Sequence, residues 1–338
     1  MSSNSPPAVS VLLPVRDADR TLAACLRSVA RQTWADFEVV LVDDGSQDGG
    51  PAIARAWAER DARIRCLATP RRGLVHALTH GLDACRGEVV VRMDADDIMH
   101  RERLAAQIAA LRADIGLAGV GSHVRIFPRR HLRSGRLEYE AWLNGLRGAD
   151  DVHREMFVEC PLAHPTWAVR RAVLAGCGYR DVPWAEDYDV LLRLALAGHR
   201  FGVVPRRLLS WRDHPRRSSR CEPRYGLDRF VAAKAHFLCL GWLANHGRYT
   251  LWGYGATGRS LARALLGLGR SPRAIVDLHP GRIGNRILGA PVVAPHDLPR
   301  LRGTPLLVSV AGSTPRSEIR AALHALGFAE GRDFVCVA

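Results

Sequence analysis

Acidic side chains follow a short apolar run in the first third of the chain. Residues 89–91 are consecutive valines, and Asp94-Ala95-Asp96-Asp97 begins three residues later. Carboxylates this close repel one another unless a cation or a set of hydrogen-bond donors compensates their charge. A hard divalent ion such as Mg²⁺ or Mn²⁺ takes oxygen ligands and often bridges carboxylates to substrate phosphates. The run therefore indicates a metal site or, alternatively, an acid that caps the helix expected over residues 101–111.

A second acidic pair ends another apolar run. Asp43 and Asp44 follow residues 39–42 and precede Gly45-Ser46. A carboxylate in this position can accept a hydrogen bond from the imide N–H of uracil or thymine, or from a ribose hydroxyl. Two acidic strand ends in one sheet predict a site for a nucleotide diphosphate.

A third acidic pair, Glu186-Asp187, opens an amphipathic segment that predicts a helix. The positive end of a helix dipole stabilises an ionised carboxylate. An ionised carboxylate at the mouth of a pocket is a candidate general base.

The elements that must position these acids alternate along the chain. Apolar runs of strand type alternate with helical patterns in the first half, which predicts a mainly parallel sheet covered on both faces. The runs cover residues 9–13, 38–42, 64–67 and 89–92, and the helical patterns cover residues 21–31, 52–60 and 74–85. Ligands bind beyond the carboxyl ends of such strands. The acidic pairs, and the segment Pro14-Val15-Arg16 after the first run, stand at those ends.

A second alternation of predicted strands and helices begins at residue 248, and it contains a glycine-rich loop. Gly253, Gly255 and Gly258 form a GxGxxG pattern between a predicted strand and a predicted helix, and the next strand ends at Asp277. This is the full context of a dinucleotide-binding turn, which predicts a Rossmann-like domain. Because the tail is only about half of such a fold, we leave open whether it binds NAD(P), binds another nucleotide, or serves packing and assembly.

Residues 9 to about 215 resemble the family 2 glycosyltransferases of GT-A fold. The resemblance is carried by the segments 9–17, 22–33, 38–46, 73–81, 87–97 and 186–189, in this order and spacing. It implies an α/β domain that transfers a sugar from a nucleotide-diphosphate donor to an acceptor hydroxyl, with inversion at the anomeric carbon. The tail resembles the small domain at the front of sugar acyltransferases, through residues 284–286 and 289–292.

The resemblance also implies roles for individual residues. The nucleotide-sugar site would use Pro14, Val15, Arg16, Asp43, Asp44 and Asp94. Asp96 would be the direct ligand of a Mn²⁺ or Mg²⁺ ion on the diphosphate. His214 would lie near the pyrophosphate or the metal, although an exposed loop histidine is an equal alternative. Asp187 would be the base that deprotonates the acceptor, and Glu186 a neighbour that orients it.

The length of the chain indicates more than one domain. A chain of 338 residues exceeds the usual size of a single core. We predict a disordered segment at residues 1–8, a GT-A domain at 9–226, a connecting helix and linker at 227–247, and a Rossmann-like domain at 248–338. All proposed donor-site residues precede residue 246, so a chain ending at Asn245 should fold and retain donor hydrolysis.

The net charge of +14 favours anionic partners. We expect a nucleotide-sugar donor, a glycan or lipid-linked acceptor, and peripheral contact with an anionic membrane, with a homo-oligomer as a further option. Two arginine-rich runs, residues 125–136 and 206–224, lack the zinc-finger spacing and the RNP-like strand of nucleic-acid binding. No secretory signal or membrane span is recognisable, so a cytoplasmic protein is expected, at most peripheral to the membrane.

Together these features predict an inverting, metal-dependent glycosyltransferase of surface polysaccharide synthesis. A protein that binds nucleotide sugars without turning them over, and an NAD(P)-dependent oxidoreductase acting on sugar nucleotides through the tail, are the alternatives.

Overall fold

The computed structural model describes residues 5–338. Residues 1–4, half of the segment predicted to be disordered, lie outside the described residues. The described chain divides into two compact units. The first unit comprises residues 5–153, Leu162–Asp181 and Ala197–Arg217, and the second comprises Arg154–Pro161, Val182–Leu196 and Ser218–Ala338.

The first unit is built around a mixed sheet. Its strands are β1 Val9–Val15, β2 Phe37–Asp44, β3 Ile64–Thr69, β4 Val89–Arg92, β5 Ile98–Met99, β6 Leu117–Phe127, β7 Ala168–Arg170 and β8 Arg200–Arg212. Their order is β3-β2-β1-β4-β7-β6-β8-β5, and the first four are parallel. The parallel sheet predicted from the apolar runs is thereby confirmed.

Helices cover both faces of this parallel part. The helices up to residue 177 are α1 Asp19–Ala30, α2 Gly50–Arg60, α3 Leu74–Ala84, α4 Arg103–Ala113, α5 Ser134–Leu143, α6 Ala149–Arg154 and α7 Arg171–Cys177. Leu22 and Leu26 of α1 share one core with the β1 residue Val11. On the other face, α3 comes so close that a Cβ at Gly81 would lie 2.3 Å from Leu12 Cδ1. Strands covered on both faces have continuous apolar sequences, which explains why the sequence alone predicted these strands.

The amino-terminal end of the same sheet holds a buried ion-pair network. Glu38 accepts hydrogen bonds from Ser10 Oγ at 2.8 Å, Arg65 Nη1 at 2.8 Å and Arg86 Nη2 at 2.7 Å. Burial raises the pKa of Glu38, but these donors outweigh it and lower that pKa to about 2. The network joins β1, β2 and β3 to the turn before β4.

The second unit contains a smaller sheet. Its helices are α8 Glu186–Leu196, α9 Ser218–Cys221, α10 Leu227–Leu240, α11 Ala256–Gly267 and α12 Ser313–Ala325. Its strands are β9 Arg248–Trp252, β10 Ser271–Val276, β11 Arg286–Ile287, β12 Ala290–Val293, β13 Leu306–Val308 and β14 Phe334–Cys336. The parallel strands lie in the order β12-β10-β9-β13-β14, the third-second-first-fourth-fifth order of a Rossmann-type sheet.

The division by packing differs from the domain boundaries expected from the sequence. Val231, Ala235 and Leu238 of α10 share a buried core with β9 and α11, so α10 belongs to the second unit rather than linking two domains. The segments 154–161 and 182–196 also pack with this unit, although they precede it in the chain. Within the described residues, no helix has both the length and the apolar character needed to cross a bilayer.

Candidate functional site

The carboxyl ends of β1 and β2 lie side by side, since Val15 pairs with Asp43 in the sheet. Asp43 is half-buried and accepts a hydrogen bond from Ser46 N at 3.2 Å. Gly45 turns the chain here with a φ of +64°, and a Cβ at this position would lie 2.9 Å from Arg71 N. The predicted segment Pro14-Val15-Arg16 and the acidic pair Asp43-Asp44 are therefore neighbours at the carboxyl end of the parallel strands.

Asp44 is engaged by the protein itself. Its Oδ1 accepts a hydrogen bond from Arg72 N at 2.9 Å, and its Oδ2 accepts one from Gly73 N at 3.0 Å. Arg16 Nη1 lies 3.6 Å from Asp44 Oδ2. This carboxylate therefore fixes the loop before α3, whereas Asp43 is the more accessible of the two acids.

The acidic run Asp94-Ala95-Asp96-Asp97 forms a tight cluster beyond β4. Oxygen atoms of Asp94, Asp96 and Asp97 lie within 4.8 Å of one another. Arg92 Nη2 lies 2.7 Å from Asp94 Oδ1, and His214 Nε2 lies 3.1 Å from Asp96 Oδ2. The structure thus brings together Asp94, Asp96 and His214, which the sequence had singled out separately.

Asp97 is the member of the cluster that sequence reasoning did not assign. It is fully buried, and its Oδ1 accepts a hydrogen bond from Arg212 N at 2.7 Å. Its Oδ2 is buried without a hydrogen-bond partner among residues 5–338. Burial and then the charges of Asp96 and Asp94 raise the pKa of Asp97 well above its ordinary value. A buried, unpartnered carboxylate oxygen beside two further carboxylates has the donor chemistry that Mg²⁺ or Mn²⁺ requires.

Arginines surround this cluster, and the sequence alone did not identify them. Arg103 is fully buried and donates to Arg92 O at 2.9 Å and to Gln107 Oε1 at 3.0 Å. Arg217 lies over the Trp211 ring at 4.6 Å, and its charge acts to lower the pKa values of Asp96 and Asp97. No local motif marks these residues, because they approach the cluster from α4 and from the segment after β8.

The third acidic pair lies in the second unit, at the start of α8 as predicted. Glu186 is buried, and its Oε2 accepts a hydrogen bond from Tyr225 Oη at 2.8 Å. Asp187 is half-buried, and its Oδ1 accepts one from Tyr188 N at 2.7 Å. Tyr225 was not identified from the sequence, since 39 residues separate it from Glu186.

The glycine-rich loop joins β9 to α11, as the sequence predicted. A Cβ at Gly258 would lie 2.2 Å from Gly253 O, so this glycine permits close packing of helix and strand. Gly255, in contrast, would have no group of residues 5–338 within 4 Å of an added Cβ. Both oxygens of Asp277 are partnered, Oδ1 by His279 N at 2.9 Å and Oδ2 by Arg282 Nη1 at 2.8 Å.

Comparisons with known proteins agree with this architecture. The family model described as glycosyl transferase family 2 matches residues 10–177. The amylovoran biosynthesis glycosyltransferase AmsE of Erwinia amylovora is 30% identical over 200 residues, which cover 58% of this chain and 73% of AmsE. The putative glycosyltransferase EpsE of Bacillus subtilis is 28% identical over 234 residues, which cover 68% of this chain and 81% of EpsE.

The crystal structure of S. aureus TarS 1–349 has a similar fold. It superposes with a TM-score of 0.56 at 19% identity, over 76% of this chain and 70% of that one. The family match ends before the Rossmann-like sheet, so the resemblance of the tail to acyltransferase domains stays a prediction. The fold, the family match and the relatives together place this chain in family 2 of the glycosyltransferases, with a GT-A-type sheet.

Proposed function

We propose that this glycosyltransferase moves a sugar from a nucleotide-diphosphate donor to an acceptor hydroxyl with inversion, in the assembly of a polysaccharide. The observation that carries the proposal is the cluster of Asp94, Asp96 and Asp97 beyond the parallel strands. One buried oxygen of this cluster has no hydrogen-bond partner among the residues that the structure describes. Such a cluster suits a cation that binds a diphosphate. AmsE, by its name, acts in amylovoran biosynthesis, which supports a polysaccharide product.

The donor would bind along the edge formed by β1, β2 and β4. Pro14, Val15, Arg16 and Asp43 would contact the nucleoside, and Asp44 would hold the adjoining loop in place. Asp94, Asp96 and Asp97 would hold a divalent ion, with His214 beside Asp96. Such an ion, when bound, supplies positive charge that stabilises the departing diphosphate.

Asp187 would take the proton from the acceptor hydroxyl, and Glu186 would orient the acceptor. Inversion needs a single base on the face of the sugar opposite the leaving group. Asp187→Asn should lower turnover on the order of 10² to 10⁴-fold, the usual contribution of a general base. The affinity for the donor, measured by calorimetry, should change little. Donor affinity that falls as far as turnover would make Asp187 a binding residue.

The test of the whole proposal is a donor hydrolysis screen over UDP-, GDP- and dTDP-sugars with Mn²⁺. Turnover of at least one donor, abolished by excess chelator, is expected. Tight binding of a nucleotide sugar without turnover would instead favour a non-catalytic binding protein. For the tail, calorimetry with NAD and NADP would show whether the Gly253 to Gly258 loop binds a dinucleotide. The close packing at Gly258 serves the fold, and both oxygens of Asp277 already have partners, so neither residue supports dinucleotide binding.

A further inference from the structure

The start of α8 is held by the segment that leads into α10. Tyr225 ends a 3-10 turn at Pro223–Tyr225, where Gly226 N donates to Pro223 O at 3.0 Å. Its hydroxyl donates to Glu186 Oε2 at 2.8 Å. The glutamate is only 2% exposed and the tyrosine is half-buried, so this hydrogen bond is partly buried.

Aromatic packing fixes the two helices to each other. The Tyr188 ring stacks on the Phe230 ring, with centroids 4.4 Å apart and planes 14° from parallel. Trp184, just before α8, packs against His236 and Phe237 of α10. The Tyr225 hydroxyl and the Glu186 carboxylate are therefore carried by elements that are themselves packed together, so the distance between them is held.

The donor in this hydrogen bond is fixed. Burial, followed by the charges of Glu186 and Asp187, raises the pKa of Tyr225 far above its ordinary value, so the hydroxyl keeps its proton. A phenol also orients a carboxylate without adding a positive charge. An arginine in its place would lower the pKa of the neighbouring Asp187 carboxyl and make that carboxylate a weaker base.

We infer that Tyr225 is a positioning residue for glycosyl transfer, whose hydroxyl holds the Glu186 carboxylate in the orientation that the reaction needs. This inference rests on the proposed function, in which Glu186 orients the substrate beside the base Asp187. Tyr225, Glu186 and Asp187 all belong to the second unit.

Tyr225→Phe tests the inference with the donor that turns over fastest in the hydrolysis screen. The change keeps the ring and removes only the hydroxyl. We expect kcat for donor hydrolysis to fall roughly tenfold, as for loss of one hydrogen bond to a charged group, with the donor KM within about twofold of the native value. An unchanged kcat would overturn the inference, whatever the melting temperature does.

Tyr249→Phe is the matched control. Tyr249 also belongs to the second unit, but it is fully buried, whereas Tyr225 is half-buried. Within the described residues the Tyr249 hydroxyl has no hydrogen-bond partner. The same chemical change there should leave kcat unchanged. A tenfold loss in both variants would show that kcat responds to any buried hydroxyl lost from this unit, and would overturn a specific role for Tyr225.

A double-mutant cycle with Glu186→Gln separates positioning from general support. If Tyr225 acts through Glu186, the double variant should turn over within about twofold of Glu186→Gln alone. Additive losses would overturn the inference. If Asp187→Asn and Glu186→Gln both keep native turnover, the proposed roles of the acidic pair are wrong and the inference falls with them. If those two variants lose turnover while Tyr225→Phe keeps it, only the inference about Tyr225 fails.

Discussion

The two units each place acidic side chains beyond the carboxyl ends of parallel strands, yet these carboxylates have different surroundings. In the first unit, Asp94, Asp96 and Asp97 crowd together, and Asp97 Oδ2 is buried without a partner in the described chain. In the second unit, both oxygens of Asp277 are bonded within its own loop. The position of an acid in a sheet therefore does not define a binding site. We expect an acidic site to bind a ligand where hydrogen bonds and cationic side chains of the protein do not fully compensate the charge of the carboxylates.

Glu38 extends this comparison to the opposite end of the first sheet. Its carboxylate is as buried as Asp97, but three side chains donate hydrogen bonds to it. Compensated acids such as Glu38 and Asp277 should support stability, and the cluster, whose charge is only partly compensated, should support function.

The largest expected effect is that of Asp96→Ala. Loss of a ligand for the diphosphate-bound cation should reduce Mn²⁺-dependent donor hydrolysis on the order of a thousandfold, since such an ion supplies several kcal/mol of transition-state stabilisation. Burial and the Asp94 charge raise the pKa of Asp96, so its ionised form destabilises the metal-free fold. The melting temperature in chelator should therefore stay equal or rise. Asp277→Ala is the control and should retain hydrolysis; native activity in Asp96→Ala would refute the metal site.

The second effect concerns the boundary between the units. A chain ending at Asn245 was expected from the sequence to retain donor hydrolysis, but the structure favours the opposite outcome. The cut removes the sheet that buries Val231 and Leu238 of α10, each worth about 1.5–3 kcal/mol, and the Val337 carbonyl that Lys234 binds at 2.9 Å. Since α8 packs on α10, turnover should fall at least roughly tenfold. A truncated protein with native turnover and melting temperature would restore the sequence-based boundary.

A third effect is predicted for Glu38→Gln, measured by urea unfolding as a function of pH. The pKa of Glu38 falls from an ordinary 4.5 to about 2 in the fold, so its ionised form contributes stability above pH 4.5 that is lost as the pH falls toward 2. A shift of this size corresponds to about 3 kcal/mol. The variant should lose that stability at neutral pH and differ little from the native protein near pH 2. Donor affinity at neutral pH should be retained in the folded variant.

The smallest effect is expected from a pair of glycine variants in the second unit. Gly258→Ala places a Cβ 2.2 Å from Gly253 O and should destabilise this unit by about 1–3 kcal/mol, whereas Gly255→Ala meets no group within 4 Å and should be near neutral. Thermal unfolding of the two variants measures the difference. Equal melting temperatures would contradict the structural role assigned to Gly258.

Local patterns were sufficient for the elements that carry the site. The sequence predicted the strands that precede Asp43 and Asp94 and the helix that begins at Glu186. It also predicted the order of β9, glycine loop and β10. In each case a short stretch of chain holds both the periodicity and the functional residue.

What the sequence did not reveal depends on distant packing. Arg103 of α4 binds the carbonyl of Arg92, two residues before the acidic cluster, and Tyr225 binds Glu186 across 39 residues. The membership of α8 and α10 in the second unit follows from buried side chains such as Tyr188 and Val231, whose partners no local pattern specifies. The helix of residue 227 onward was predicted correctly as a helix, but not its place in the core.

Lys234 is the sole lysine of the chain, and its amine donates to the carbonyls of Val158 and Val337 inside the second unit. Burial lowers its pKa to about 8, so a nucleophilic fraction exists near neutral pH whenever the amine is reached. An acylating reagent can modify this side chain only during a local opening that exposes it. The rate of Lys234 acylation would therefore measure how often the second unit opens, without any engineered label. A ligand that stabilises the closed form of this unit would slow the acylation of this one lysine.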